Sequence, residues 1–245
     1  MTVFDDLVAE QERLAGILDG FDEAQWTSPS AAAGWTVADV VLHLAQSEES
    51  VVLTASGGDP RTGPGGAAGG TVGERVDSLV RAERAAPDVV FARWQRARRE
   101  ALDALRAADP DRPLTWVAAP VKPATLATTR LAEHWAHGLD ITGPFGVEFP
   151  DTERLRHVAW LAHRTLPYAM TLAGEPPAPV RCELTGPDGV AVWAFGPPEA
   201  ESAIAGPGGD FCRVAARRLT PASSQLSATG PYGATALRLV RTYAE

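Results

Sequence analysis

A change of periodicity near residue 174 is the feature that most constrains how this chain of 245 residues folds. Before it, apolar residues recur every three or four positions over long stretches, which predicts amphipathic helices. After it, short alternating segments rich in β-branched residues predict strands. The segment between them contains three prolines, and proline disfavours the interiors of both helices and sheets. The sequence therefore predicts a helical domain over 1–173, a Pro-rich linker over 174–179 and a small domain over 180–245.

Five long helical segments are predicted before the linker. The second begins with a capping box, in which the side chains of Thr36 and Asp39 each accept from the other residue's backbone amide. Helices of this length joined by short polar breaks predict an antiparallel bundle of four-helix type. The segments are 4–18, 36–53, 87–107, 123–142 and 152–172.

The part after the linker predicts a mixed α+β domain, so the fold class is α+β with two domains. Residues 180–184 and 190–195 flank a Pro-Asp-Gly turn and predict a hairpin. Further strands are predicted at 202–205 and 225–229, and helices at 209–217 and 233–243. In the first domain, the Gly-rich residues 55–73 follow no strand and precede no Gly-Lys-Ser/Thr, which argues against a phosphate-binding loop. We expect a mobile surface loop there, with a lid over a site as the alternative.

The amino-acid composition excludes several classes of binding partner. The chain carries 31 acidic and 22 basic residues, a net charge of −9, so neither nucleic acid nor an anionic membrane surface is an expected partner. No apolar run approaches the roughly 20 residues that cross a bilayer, and the N-terminus lacks a signal-peptide layout. Two cysteines make no disulfide framework. We expect a cytoplasmic protein, a monomer or a homodimer, that acts on a small molecule.

The helix predicted over 123–142 carries a charged stripe. Glu133 and His137 are four residues apart, which places their Cβ atoms about 5–6 Å apart on one face, where they can share a metal ion. Arg130 and Asp140 extend the same stripe. A charged stripe ordinarily faces water, and Arg130 and Glu133 would then form an exposed ion pair worth well under ~1 kcal/mol. Spacing alone leaves both interpretations open.

His43 lies in an apolar helix, where a lone histidine is more often a core residue than a ligand. Asp39, four residues earlier, is interpreted as a helix cap, with orientation of the His43 ring as the alternative. Taken together with Glu133 and His137, His43 completes a set of two imidazoles and one carboxylate. That set matches a three-ligand metal site with open positions, built inside a helical bundle.

Three segments carry a family resemblance. Residues 34–44, GWTVADVVLHL, resemble the Gly-Trp-Ser/Thr segment with later Asp and His in DinB-like metal-binding bundles. Residues 130–141, RLAEHWAHGLDI, resemble the Arg, Glu, His and Asp segment of one branch, the mycothiol-dependent maleylpyruvate isomerases. Residues 205–218 resemble the small C-terminal domain of that branch, in which a helix ends in Gly-Arg.

The resemblance implies a site and a chemistry. It implies a divalent ion, generally zinc, on His43, Glu133 and His137, with nickel, iron or manganese as alternatives. It also implies mycothiol as the cofactor thiol, and an Arg from the C-terminal domain in the cleft between domains. Arg218 matches that Arg best, while Arg217 stands where the family tends to have Gly. Arg218, and similarly Arg130, would suit a substrate carboxylate.

The expected activity is therefore metal-dependent, thiol-dependent isomerisation or transfer on a small anionic substrate. One alternative is a metal-dependent enzyme of secondary metabolism that uses metal-bound water or Lewis acidity without a thiol. Another is a non-catalytic metalloprotein that binds a small ligand. Cys182 and Cys212 are interpreted as buried, inert thiols. No functional role is expected for the three remaining histidines, which are His134, His157 and His163.

Overall fold

A computed structural model describes residues 2–62, 71–117 and 119–242. It confirms the α+β fold class, with a helical N-terminal part followed by a small sheet and further helices. No helix within the described residues is long and apolar enough to cross a membrane. The helices are α1 (Val3–Asp19), α2 (Glu23–Thr27), α3 (Val37–Ala55), α4 (Val72–Ala82), α5 (Pro87–Ala107), α6 (Pro123–Thr142), α7 (Leu155–Leu172), α8 (Gly208–Ala215) and α9 (Gly233–Leu239). The strands are β1 (Val180–Thr185), β2 (Val192–Phe195), β3 (Ser202–Pro207) and β4 (Ser227–Thr229).

The chain forms two compact units, the first extending to Phe149 and the second beginning at Pro150. This division differs from the predicted boundary, because α7 and the Pro-rich segment 174–179 both belong to the second unit. α7 packs on α8 and α9. The hydroxyl of Thr165 on α7 also donates to the backbone carbonyl of Arg241 at 2.7 Å. Amphipathic periodicity shows that α7 has an apolar face, but not which partner covers that face.

The first unit is built mainly from the long helices α1, α3, α5 and α6. α3 packs along α5, and their apolar faces enclose the buried ring of Trp94. α3 begins with the predicted capping box, in which the Thr36 hydroxyl accepts from the Asp39 amide and the Asp39 carboxylate accepts from the Thr36 amide. The hydroxyl of Thr2 forms the same box with Asp5 at the start of α1. These caps fix where the two helices begin.

α6 is enclosed by its neighbours because α1, α3 and α5 all pack against it. Polar side chains on more than one of its faces are therefore buried, among them Arg130, His134 and Asp140. The charged stripe faces the interior of the unit, and the interpretation of Arg130 and Glu133 as an exposed ion pair is wrong. A single helix cannot reveal this, because burial depends on the helices packed around it.

Two helices are absent from the sequence predictions. α2 has only five residues, and its start is fixed by a capping box between Asp22 and Gln25. α4 begins with a capping box between Thr71 and Glu74, directly after the Gly-rich stretch. Of residues 55–73, the structure assigns Ala55 to α3 and 72–73 to α4. The loop expected between them falls largely on 63–70, which lie outside the described residues.

The second unit contains a four-stranded sheet in the order β2-β1-β3-β4. The predicted hairpin is confirmed, because β1 and β2 pair antiparallel across a turn in which Gly189 has a φ of +74°. β3 pairs parallel to β1, and β4 pairs antiparallel to β3. α8 follows β3 without a break and packs against β1 and β3.

Candidate metal centre

Three polar side chains converge between α3 and α6. Nε2 of His43 lies 3.6 Å from Oε2 of Glu133, and Nε2 of His137 lies 3.5 Å from the same oxygen. One donor atom from each residue lies within 4.8 Å of the others. Glu133 and His137 share a face of α6 because they are one helical turn apart, and His43 reaches them from the facing helix. The structure therefore brings together the three ligands that the sequence predicted.

The three side chains remain reachable from solvent. His137 keeps 11% of its side chain exposed, His43 15% and Glu133 28%. The ring of Trp35 lies beside both imidazoles, with its centre 5.2 Å from that of His43 and 6.4 Å from that of His137. Its Nε1 donates to Asp77 on α4 at 3.0 Å, which fixes the indole as a wall of the site.

The charge states of Glu133 and His43 suit metal ligation. Burial opposes ionisation of Glu133, yet the nearby rings of His137 and His43 hold the pKa of this carboxyl well below its usual range. Burial lowers the pKa of His43, which favours the neutral ring that a metal ligand requires. Burial also opposes charge on His137, but its hydrogen bond to Asp140 and the nearby Glu133 carboxylate raise its pKa overall, so a divalent ion would bind Nε2 by displacing a proton from this ring. An ionised carboxylate and imidazole lone pairs are what a divalent ion requires.

A carboxylate orients His137. Nδ1 of His137 donates to Oδ2 of Asp140 at 2.9 Å, which directs Nε2 toward Glu133. Ligating histidines commonly donate their second ring nitrogen to a carboxylate in this way. Asp140 was noted in the sequence only as part of the charged stripe. Its position three residues after His137, on the same helix face, is the signal that could have revealed this role.

Asp39 does not orient His43. Its carboxylate caps α3 and accepts two hydrogen bonds from Arg84, at 2.8 Å each. These bonds hold the pKa of Asp39 below its usual value although burial opposes ionisation. The interpretation of Asp39 as a helix cap is confirmed.

Charged and polar side chains also lie beneath the site. Arg130 is buried, with its Nη2 3.8 Å from Oε2 of Glu133 and its guanidinium 5.6 Å from the centre of the Trp116 ring. Glu48, on α3, is completely buried beside it. His134 is also fully buried, and Trp94 donates to its Nε2 at 3.1 Å. Burial of Arg130 argues against the predicted contact with substrate.

Arg218 belongs to the second unit, just after α8. Arg217, at the end of that helix, is the one described non-glycine residue with positive φ, at 62°. The amide of Arg217 donates to the Val214 carbonyl and that of Arg218 to the Arg213 carbonyl, which together form a Schellman ending. The backbone here favours glycine, which gives a physical reason for the Gly noted at this position in the resembling family.

The two cysteines and the histidines His157 and His163 lie outside the candidate metal centre. Cys182 and Cys212 are buried, and burial raises the pKa of the Cys182 thiol to about 12, so neither is a ready nucleophile. Nε2 of His163 bonds to the Val180 carbonyl at 3.0 Å, and its ring stacks on Phe195. His157 lies half-buried on α7, in the second unit.

Comparison with known proteins places these residues in a family. The model of the mycothiol maleylpyruvate isomerase N-terminal domain matches residues 7–142, which are more than half of the chain and include His43, Glu133 and His137. The chain belongs to this family. The match also contains Glu48, Arg130 and Asp140, so every residue described at and beneath the site lies within the shared domain.

Relatives extend the similarity beyond that domain. Two uncharacterized proteins from different strains of Mycobacterium tuberculosis are each 33% identical over 229 residues, covering 92% of this chain and 88% of theirs. The crystal structure of the mycothiol-dependent maleylpyruvate isomerase has a TM-score of 0.64 at 15% identity and covers 94% of this chain and 95% of its own. The crystal structure of a histidine-to-alanine mutant of that enzyme has a TM-score of 0.63 and covers the same fractions of the two chains. The structural likeness shows a shared fold across both units.

Proposed function

We propose that the chain is a divalent-metal-dependent enzyme that uses a low-molecular-weight thiol for isomerisation or group transfer on a small anionic substrate. The observation that carries the proposal is the convergence of His43, Glu133 and His137 within 4.8 Å, inside a domain matched by the isomerase family. The related solved enzyme is mycothiol-dependent, so mycothiol is the thiol that we propose.

The donor set fits a catalytic divalent ion. Two imidazoles and one carboxylate are the ligands of zinc enzymes that keep an open position, and the same set suits nickel, iron or manganese. Zinc is our first choice because imidazole and carboxylate bind it well in four-coordinate sites. Exposure of 11–28% at the three side chains leaves room for a further ligand from solvent.

Each residue of the centre has a separate task in this proposal. Asp140 holds the Nδ1 proton of His137, so that Nε2 stays directed at the ion. Glu133 supplies one negative charge, and the Trp35 ring packs beside both imidazoles and forms one side of the site. A bound divalent ion would lower the pKa of a thiol that occupies its open position. Because Cys182 and Cys212 are buried, the thiol would come from a cofactor. Their free state also favours the reducing cytoplasm as the compartment.

Arg218 is the residue that we propose for binding a substrate carboxylate. A guanidinium presents two parallel donors that match both oxygens of a carboxylate. Replacing Arg218 with Lys keeps the charge but removes this paired geometry. If Arg218 binds substrate, Arg218→Lys should raise KM more than it lowers kcat. An unchanged KM would contradict this role.

The first experiment is metal content by plasma mass spectrometry on protein purified without a metal-affinity tag. We expect about one divalent ion per chain, lost in His43→Ala and His137→Ala while folding persists by circular dichroism. His157→Ala is a matched control outside the cluster and should keep the ion. No metal in the wild type, even after reconstitution, would refute the metal-dependent function.

A second experiment separates the chemistries. The metal-loaded protein is assayed with electrophilic unsaturated acids, with and without mycothiol. Turnover that requires the thiol supports the proposal. Turnover without a thiol would replace it with Lewis-acid or water chemistry. Stoichiometric ligand binding without turnover would indicate a binding protein.

A further inference from the structure

A buried carboxylate lies beneath the candidate metal centre and is not one of its ligands. Glu48 is completely buried, and neither of its carboxylate oxygens has a hydrogen-bond partner among the described residues. Its Oε1 lies 3.7 Å from Nε of Arg130 and 3.6 Å from Nδ1 of His134. Burying a charge without hydrogen bonds costs stability, so this placement requires a physical reason.

His134 does not neutralise Glu48. Its Nε2 accepts from Trp94 Nε1 at 3.1 Å, and its Nδ1 donates to the backbone carbonyl of Arg130 at 2.8 Å. These two bonds fix a neutral ring, and burial lowers the pKa of His134 to about 3. Within the described part of the chain, Arg130 is therefore the permanently charged group in contact with Glu48.

Arg130 is shared between two carboxylates. Its Nε faces Glu48 at 3.7 Å, and its Nη2 faces Oε2 of Glu133 at 3.8 Å. Direct hydrogen bonds between guanidinium and carboxylate are about 2.7–2.9 Å long, so the guanidinium forms a direct bond with neither. The Glu133 oxygen that Arg130 faces is the same oxygen that faces His43 and His137.

We propose that Glu48 is a positioning residue that holds Arg130 back from Glu133, so that Oε2 of Glu133 stays available to a divalent ion. Without the negative charge of Glu48, the guanidinium would pair directly with Glu133 and compete with the ion for that oxygen. Glu48 also offsets the positive charge of Arg130, which would otherwise repel a divalent ion nearby. The inference rests on the metal site of the proposed function and deepens it.

The test measures metal affinity in variants of the full chain. Zinc binding is measured by competition with a chromophoric chelator at pH 8, above the pKa of Glu48, which burial raises to about 7. Glu48→Gln keeps the shape and removes the charge, and should bind zinc about 10–100-fold more weakly, the range seen for groups that support metal ligands. Glu49→Gln is the matched control, because Glu49 directly follows Glu48 in the sequence and pairs with Arg93 at the surface. It should change the affinity by less than about twofold.

A double variant distinguishes positioning from a general structural role. Glu48→Gln combined with Arg130→Gln removes the competing cation together with its partner, so most of the affinity should return. If Glu48→Gln alone does not fold, Arg130→Gln and the double variant are compared, and their affinities should agree within about twofold.

Three results would count against these ideas in distinguishable ways. Wild-type affinity in Glu48→Gln, while the wild type binds zinc, overturns the inference and leaves the metal site intact. If the double variant binds zinc as weakly as Glu48→Gln does, Glu48 does not act through Arg130. Where Glu48→Gln does not fold, the same conclusion follows if the double variant binds zinc more weakly than Arg130→Gln does. No zinc binding by the wild type refutes the proposed function itself.

Discussion

Replacing Glu48 should make the metal-free protein increasingly stable relative to wild type as the pH rises. Burial raises the pKa of this carboxyl from 4.5 to about 7, although Arg130 opposes the change. Between these two pH values Glu48 is neutral in the folded protein and ionised in the unfolded chain. The folded state then binds more protons, so the wild type loses stability as the pH rises from 4.5 to about 7.

The magnitude follows from the same two pKa values. A tenfold change in a protonation equilibrium corresponds to about 1.4 kcal/mol, so ionised Glu48 costs the folded state about 3 kcal/mol above pH 7. Glu48 is completely buried, so solvent screens this cost little. Glu48→Gln stays neutral at every pH and avoids the cost. Its free energy of unfolding relative to wild type should therefore rise by about 2–3 kcal/mol from pH 5 to pH 8.

Urea denaturation of chelator-treated protein, followed by tryptophan fluorescence, measures this difference. Trp94 and Trp135 are buried in the first unit and report on its unfolding. Titrating groups that are not coupled to Glu48 contribute equally to the wild type and the variant, so they cancel in the difference. Glu49→Gln should show no comparable trend. A difference between Glu48→Gln and wild type that stays constant from pH 5 to pH 8 would refute the reasoning.

Three further substitutions test separate contacts. Asp140→Asn weakens the bond that orients His137, so chelator competition should show about 10–100-fold weaker zinc binding, and unchanged affinity would argue against this role. Arg217→Gly relieves the left-handed backbone after α8 and should raise the free energy of unfolding by about 0.5–1 kcal/mol, whereas Arg217→Ala should give no such gain. Trp94→Phe removes the donor to buried His134 and should lower that free energy by about 1–3 kcal/mol in the same measurement.

Local signals in the sequence were sufficient for most of the fold. The predicted helices over 87–107 and 123–142 coincide with α5 and α6, because proline at the first helical position and long apolar periodicity mark both. Thr36 and Asp39 marked the start of α3 correctly. α2 and α4 were missed, since one has five residues and the other directly follows a Gly-rich stretch. Their capping boxes were the local signals available.

The site was predictable in part. Glu133 and His137 could be paired by spacing. His43 lies on another helix, so residue chemistry alone could only suggest the set of three, and the family resemblance then implied all three as ligands. Spacing also could not show that the charged stripe is buried, because α1, α3 and α5 enclose α6 only in the folded chain. Glu48 carried no signal at all. Its neighbours across the packing interface, Arg130 and His134, are about 80 residues away in the sequence.

Glu48 separates stability from metal binding. A residue that merely fills the core is expected to lower both the stability and the metal affinity when it is replaced. A buried carboxylate that restrains Arg130 predicts opposite trends, because Glu48→Gln removes a carboxyl whose ionisation costs stability as the pH rises and also frees the guanidinium to pair with Glu133. From pH 5 to pH 8 the metal-free variant should therefore gain stability relative to wild type, while at pH 8 it should bind zinc more weakly. A packing defect cannot produce that combination of results. The two measurements together therefore decide whether the negative charge of Glu48 supports metal binding at the site above it.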